Sequence, residues 1–216
     1  LEQSDSFFKC LSLYVISDRK LTGEDKFLPA LECAMKAGAR CIQLREKDLS
    51  VSDLRSLALQ VKKCVERYNG FLFINDRADL AYDIGADGVH LTEKSSPVRE
   101  VKKKFPGLKI GVSTHSLDRA KEAESQGAEF ITFGPVYETP SKRKYGPPQG
   151  VSRLSEVAGK TGIPVLALGG VKVNNLSEVL NAGAHGIALI SGIWQGSDVF
   201  KNTLEFSNIL LRGQNS

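Results

Sequence analysis

The chain has 216 residues, 41% of them hydrophobic, which is enough for one full-sized core. Its formal charge of +4, from 29 Lys and Arg against 25 Asp and Glu, suits a small anionic substrate and is too weak to argue for nucleic acid. No stretch is apolar for long enough to span a bilayer, and four cysteines without C-x-x-C spacing (Cys10, Cys33, Cys41, Cys64) point to reduced thiols in a cytoplasmic protein.

The start of the chain lacks the basic-then-apolar order of a signal peptide. Eight short apolar runs follow: Leu13–Ile16, Cys41–Leu44, Phe71–Ile74, Gly88–Leu91, Leu108–Val112, Phe130–Phe133, Val165–Leu168 and Gly186–Ile190. Helical patterns separate most of them. Strands that alternate with helices pair in parallel through right-handed crossovers, and runs with little polar alternation fit strands covered on both faces. Gly-Ala precedes every second run, at Gly38-Ala39, Gly85-Ala86, Gly127-Ala128 and Gly183-Ala184, and each glycine suits a left-handed helix end. That recurrence predicts an α/β fold, a (β/α)8 TIM barrel with residues 1–216 as a single domain. A flavodoxin-like open sheet is the alternative. Ser52, Ser116 and Asn175 are expected to cap the helices that follow, Asn175 with Glu178 as a capping box. Lys102-Lys103-Lys104 falls in a helical pattern and reads as a solvated face.

Catalytic groups in such barrels sit at the C-terminal strand ends. On the second strand Gln43, Arg45 and, if the strand runs on, Lys47 share the face opposite Ile42 and Leu44. The apolar pair must meet the helices, so two cations and an amide converge on the barrel mouth and need an anionic or strongly polar ligand. A structural salt-bridge network is the alternative. Asn75-Asp76 follows the third strand; its oxygens suit Mg2+ or a polar substrate, and Asp76 equally suits an N-cap for a helix near Arg77. His90, within an apolar strand, reads as a hydrogen-bonded structural residue, and His185 as a surface residue at the opposite end. His115, just past the fifth strand beside Ser113, is the candidate for proton transfer near neutral pH, with a capping or packing histidine as the alternative.

Residues 134–150 form a long polar loop with Gly and Pro at its far end, which reads as a lid. In it Thr139, Ser141 and Lys142 offer an anion clamp; a plain surface loop is the alternative. The last two runs finish in small residues at Gly169-Gly170 and at Ser191-Gly192. Such small residues let backbone amides reach a phosphate, as the loops after strands seven and eight do in many barrels.

Gln43-Leu-Arg-Glu-Lys47, Asn75-Asp76, Gly88-Val-His-Leu91, Gly111-Val-Ser113, Gly134-Pro135 with Thr139-Pro-Ser141-Lys142, and Gly169-Gly170 together resemble the thiamine phosphate synthase/TenI family. The resemblance covers nearly the whole chain. It implies a (β/α)8 barrel of thiamine biosynthesis acting on a thiazole phosphate, with that phosphate on Gly170, Ile190 and Ser191. Two activities occur in the family. The synthase joins hydroxymethylpyrimidine diphosphate to the thiazole phosphate, with Mg2+ on the leaving pyrophosphate. The TenI-like tautomerases aromatise a carboxylated thiazole phosphate by a proton shift, without metal.

In the synthase pattern Gln43, Lys47, Asn75, Ser113 and Lys142 contact the pyrimidine diphosphate, and Asp76 is one Mg2+ ligand. The synthase normally has a second metal-binding aspartate after its Val-His-Leu run. Ser95 stands there in this chain, with Glu93 out of register. Losing that carboxylate removes charge from a site that must offset several phosphates. The leading expectation is therefore a thiazole tautomerase without a cofactor, in which Arg45 or Lys47 faces the substrate carboxylate and His115 moves the proton. A Mg2+-dependent thiamine phosphate synthase is the alternative, and a non-catalytic phosphate-ligand sensor a further one. The partner expected is a small phosphorylated thiazole, with no nucleic acid and no membrane. The sequence leaves the oligomeric state open, a homo-oligomer included.

Overall fold

Alternate strand residues face two separate apolar environments, and that alternation closes the sheet. The computed structural model describes residues 2–139 and 147–213. Its strands are β1 (Leu13–Ile16), β2 (Cys41–Leu44), β3 (Phe71–Asn75), β4 (Gly88–Leu91), β5 (Lys109–Thr114), β6 (Phe130–Phe133), β7 (Val165–Leu168) and β8 (Gly186–Leu189). All pair in parallel in sequence order, and β8 returns to β1, so the barrel is closed and the open-sheet alternative falls. Val15, Ile42, Ile74, Val89, Ile131 and Ile187 point outward into the larger core beneath the helices. Tyr14, Ile16, Cys41, Phe73, Phe130, Leu166 and Ala188 fill the interior instead.

The interior is crowded, and small residues make room for large ones. A Cβ on Gly111 would lie 2.3 Å from the Phe130 ring and 2.8 Å from Nδ1 of His90. One on Gly88 would meet Phe73 at 2.4 Å. Helix α1 (Glu2–Cys10) closes the N-terminal end, a role the sequence reading did not foresee. Its Phe7 is 2% exposed and meets the rings of Phe71, Phe73 and Phe130 at 5.1, 6.0 and 6.3 Å. His185 is exposed at this same end, its Nε2 2.8 Å from the Phe8 carbonyl. With that end plugged, the interior opens at the C-terminal strand ends.

The remaining helices are α2 (Arg19–Thr22), α3 (Phe27–Lys36), α4 (Val51–Arg67), α5 (Ala78–Asp83), α6 (Val98–Lys104), α7 (Leu117–Ser125), α8 (Gly150–Lys160), α9 (Leu176–Asn181), α10 (Ser191–Trp194) and α11 (Val199–Gly213). All four repeat glycines adopt positive φ, at 110°, 65°, 93° and 91° in chain order. After the first three, the alanine amide returns to a carbonyl of the last helical turn, as in Ala39 to Ala34 at 3.1 Å. Ser116 caps α7 as expected, accepting from the Arg119 amide.

Two caps differ from expectation. Helix α4 begins at Val51, so Ser50 rather than Ser52 accepts from the Asp53 amide, at 3.2 Å. Asn175 caps no helix with Glu178. Its Oδ1 accepts from the Lys172 amide at 2.7 Å, its Nδ2 donates to the Gly170 carbonyl, and Glu178 instead takes the Tyr137 hydroxyl. Lys103 and Lys104 are exposed on α6, while Lys102 pairs with Glu129. Among the described residues no helix is long and apolar enough to cross a membrane.

Candidate active site

A chain of hydrogen bonds crosses the upper barrel interior from β2 to β6. Gln43, 1% exposed, donates from Nε2 to the Tyr14 hydroxyl at 3.2 Å. Tyr14 lies 3.2 Å from Nδ1 of His90, and Nε2 of His90 lies 3.0 Å from the Ser113 hydroxyl. Thr132 donates to the same Ser113 oxygen at 3.5 Å. Since an amide nitrogen donates only, Tyr14 is left to donate to Nδ1, and the His90 proton sits on Nε2 facing Ser113. Ser113 then accepts twice and keeps its own proton for a molecule in the mouth. Burial, with the Arg45 charge as a smaller cause, pushes His90 down to about 3, so the imidazole is neutral. Burial likewise pushes the Tyr14 hydroxyl upward, keeping it protonated.

The sequence reading placed Gln43, Arg45 and Lys47 at the mouth. The structure seats Gln43 deep in the interior and leaves Arg45 half-buried one step further out. Strand β2 ends at Leu44, so Lys47 lies in the exit loop and is exposed. A salt-bridge network does exist here, but Glu46 forms it, with Arg19 on the β1 side.

Asp76 is not an N-cap. Its φ is 63°, its amide donates to the His90 carbonyl, and α5 begins beyond Arg77, which has no side-chain cap bond. The exposed Asp76 carboxylate instead accepts from the Ser95 hydroxyl. Ser95 is in turn fixed by the Thr92 amide, which donates to its oxygen at 2.7 Å. Asn75, beside Asp76, ends β3 half-buried on the same rim. Among the described residues no three Asp, Glu, His or Cys side chains gather as a metal cluster. A rim carboxylate with a hydroxyl beside it still fits Mg2+, which is commonly held by one or two carboxylates plus substrate phosphates.

His115 follows β5 on the same rim and is exposed. Its Nδ1 is bonded to the Gly134 carbonyl, so that nitrogen carries the proton and Nε2 is the basic atom of the neutral ring. The loop after β6 is anchored at its base: Val136 and Tyr137 amides donate to the Leu168 and Gly169 carbonyls, and Gln149 to Pro135. Thr139 has a buried hydroxyl without a hydrogen-bond partner among the described residues. Ser141 and Lys142 lie outside the described residues.

Gly169 and Gly170 have φ of 97° and 69°. A Cβ on Gly170 would come within 2.6 Å of the Tyr137 Cβ, and one on Gly169 within 2.7 Å of Pro135. Glycine is therefore demanded here by the neighbouring loop, a constraint the phosphate argument had not supplied. Across the β7–β8 edge, Ile190 is the N-cap position of α10, and Ser191 and Gly192 are exposed in its first turn. Their amides have no intrahelical acceptor and are available to an anion. Buried Trp194 locks this turn in place by donating to the Ile16 carbonyl at 2.6 Å.

Sequence reasoning missed Tyr14, Ser17, Arg19 and Glu46. Tyr14 was detectable as a polar-tipped residue at an inward position of β1. Ser17 and Arg19 meet Glu46 in a loop-to-loop contact that no periodicity reveals.

A family model described as "Thiamine monophosphate synthase" matches residues 13–193. Among curated relatives, a Geobacter sulfurreducens protein named "Putative thiamine-phosphate synthase" is 48% identical over 84% of this chain and 86% of its own length. The thiamine-phosphate synthase of Pyrococcus abyssi is 37% identical over 94% of this chain and 97% of its own. A solved structure of thiamine phosphate pyrophosphorylase from Pyrococcus furiosus superimposes with a TM-score of 0.88 at 34% identity, covering 95% of this chain and 98% of the other. With the barrel and the rim of polar strand ends described above, these matches show that the chain belongs to the thiamine monophosphate synthase family.

Proposed function

We propose that this protein is a Mg2+-dependent thiamine phosphate synthase. It joins hydroxymethylpyrimidine diphosphate to a thiazole phosphate: the bond between the pyrimidine's methylene carbon and the diphosphate breaks, that carbon bonds to the thiazole, and pyrophosphate leaves. The observation that carries the reading is the Asp76 carboxylate, displayed on the rim by a left-handed backbone and touched by Ser95. A proton shift on a thiazole has no need of that carboxylate, whereas a diphosphate leaving group with its metal does. The names of the curated relatives support the same choice over the tautomerase expected from sequence.

In this reading the pyrimidine sits over Gln43, Asn75 and Ser113. Ser113, its oxygen supplied with two donors, offers its proton to a ring nitrogen. Arg45 and Lys47, with Thr139 from the loop after β6, surround the diphosphate; the rest of the anion clamp expected from sequence, Ser141 and Lys142, lies outside the described residues. Asp76 would hold Mg2+, with Ser95 beside it. The metal, when bound, neutralises charge on the leaving pyrophosphate. The thiazole phosphate rests on the amides at Gly169, Gly170, Ser191 and Gly192, next to Ile190. His115 orients the β6 exit through Gly134 rather than moving a proton.

The test offers purified protein both substrate sets, with and without Mg2+. Thiamine phosphate formed only with Mg2+ supports the synthase. Aromatised thiazole from the carboxylated precursor, without thiamine phosphate, would restore the tautomerase, and binding without turnover would mark a sensor.

A further inference from the structure

The outward face of the β2 exit carries a charged group where its neighbours are apolar. Ile42 and Leu44, on that same face, are buried in the core beneath the helices. Glu46 continues the alternation, yet its carboxylate side chain is only 4% exposed. Oε1 accepts from the Ser17 hydroxyl at 2.5 Å and from the Arg19 amide at 3.2 Å, and Oε2 lies 3.8 Å from Nε of Arg19. The Arg19 guanidinium, itself 9% exposed, continues to Asp48 at 2.6 Å and to Glu24. The Ser17 oxygen also receives the Arg45 amide at 2.8 Å, and the Ser17 amide donates to the Gln43 carbonyl at 2.8 Å. One buried carboxylate thus ties the first loop of the barrel to the backbone on which Arg45 and Lys47 are mounted.

Burying a carboxylate is costly, and an apolar side chain of similar size often serves packing as well or better. What the charge provides here is direction. With Glu46 held outward, the alternation along the chain turns its half-buried neighbour Arg45 toward the mouth. We propose that Glu46 is a positioning residue for anion binding: through Ser17 and Arg19 it fixes the β2 exit so that Arg45 and Lys47 face the diphosphate. This rests on the synthase reading of the mouth.

The test measures affinity for inorganic pyrophosphate with Mg2+, and separately for the thiazole phosphate, in Glu46→Leu, Ser17→Ala, Arg45→Gln and the Glu46→Leu/Arg45→Gln pair. We expect Glu46→Leu to weaken pyrophosphate about tenfold or more and leave thiazole phosphate within about twofold, with a lowered melting temperature because Ser17 and Arg19 lose a buried acceptor. The double variant should lose less than the two single losses combined, because part of what Glu46 does is exerted through Arg45. If Glu46→Leu does not fold, Ser17→Ala carries the same comparison with a smaller loss. Pyrophosphate affinity kept in the Glu46 and Ser17 variants but lost in Arg45→Gln overturns the proposal alone. Equal loss of both ligands would mean a general structural role and also overturns it. An Arg45→Gln variant that binds pyrophosphate normally overturns the reading of the mouth along with it.

Discussion

The Ser95 hydroxyl donates to the Asp76 carboxylate, joining the exits of β3 and β4. The residue that argued from sequence against a metal is thus an oxygen donor in contact with the one rim carboxylate proposed to hold it. Ser95→Asp would place a second negative charge there. It is expected to lower the Mg2+ concentration for half-maximal thiamine phosphate formation by about tenfold, the charge count being the main lever on such sites. An unchanged Mg2+ requirement would separate Ser95 from the metal.

His90 ties stability to pH. Burial, assisted by the Arg45 charge, holds it at about 3 in the folded chain. Unfolded, it gains a proton near the usual value of about 6.5, so its contribution is full above that pH and is lost as pH falls toward the folded value. At ~1.4 kcal/mol per unit, about 2 kcal/mol disappears between about pH 6.5 and about pH 5. Urea midpoints of the parent should fall over that interval, and those of His90→Gln should fall by correspondingly less.

Tyr14→Phe deletes the hydroxyl between Gln43 and His90. Two buried polar groups then lose a partner, at a cost of about 1–3 kcal/mol each. With its Nδ1 acceptor no longer engaged, His90 is free to change tautomer and withdraw its donor from Ser113. Urea denaturation should show the loss, and turnover should fall more than pyrophosphate affinity.

Gly170→Ala meets both the Tyr137 Cβ and a left-handed φ of 69°. Strain of this kind costs ~1–3 kcal/mol. Gly183→Ala, at φ 91° on the opposite rim, is the matched control. Thermal melts should fall in both, while thiazole phosphate affinity, measured by calorimetry, should drop only in Gly170→Ala.

The barrel was legible because its signals are local. Gly38, Gly85, Gly127 and Gly183 each report a left-handed helix end, and apolar runs with little polar alternation report strands covered on both faces. The inward direction of Gln43 followed from Ile42 and Leu44. Asp76 was ambiguous because an aspartate before a helix has the composition of a cap, and only the backbone separates the two roles. Ser50 and Ser52 both suit a cap, and the choice rests on where the helix begins, one residue apart. Glu46 read as part of a motif, whereas its partners Ser17 and Arg19 are distant in sequence and meet it only once β1 and β2 are paired. Helix α1 carries a mixed polar sequence whose few aromatics gain a purpose only when the barrel floor exists to receive Phe7.

The most direct measurement is pyrophosphate release by the purified chain supplied with both substrates and Mg2+, compared with Asp76→Ala. The account predicts release that requires both substrates and the metal, and a loss of about a hundredfold or more in the variant. Release that is indifferent to Mg2+ or to Asp76, or none at all from the folded parent chain, would contradict it.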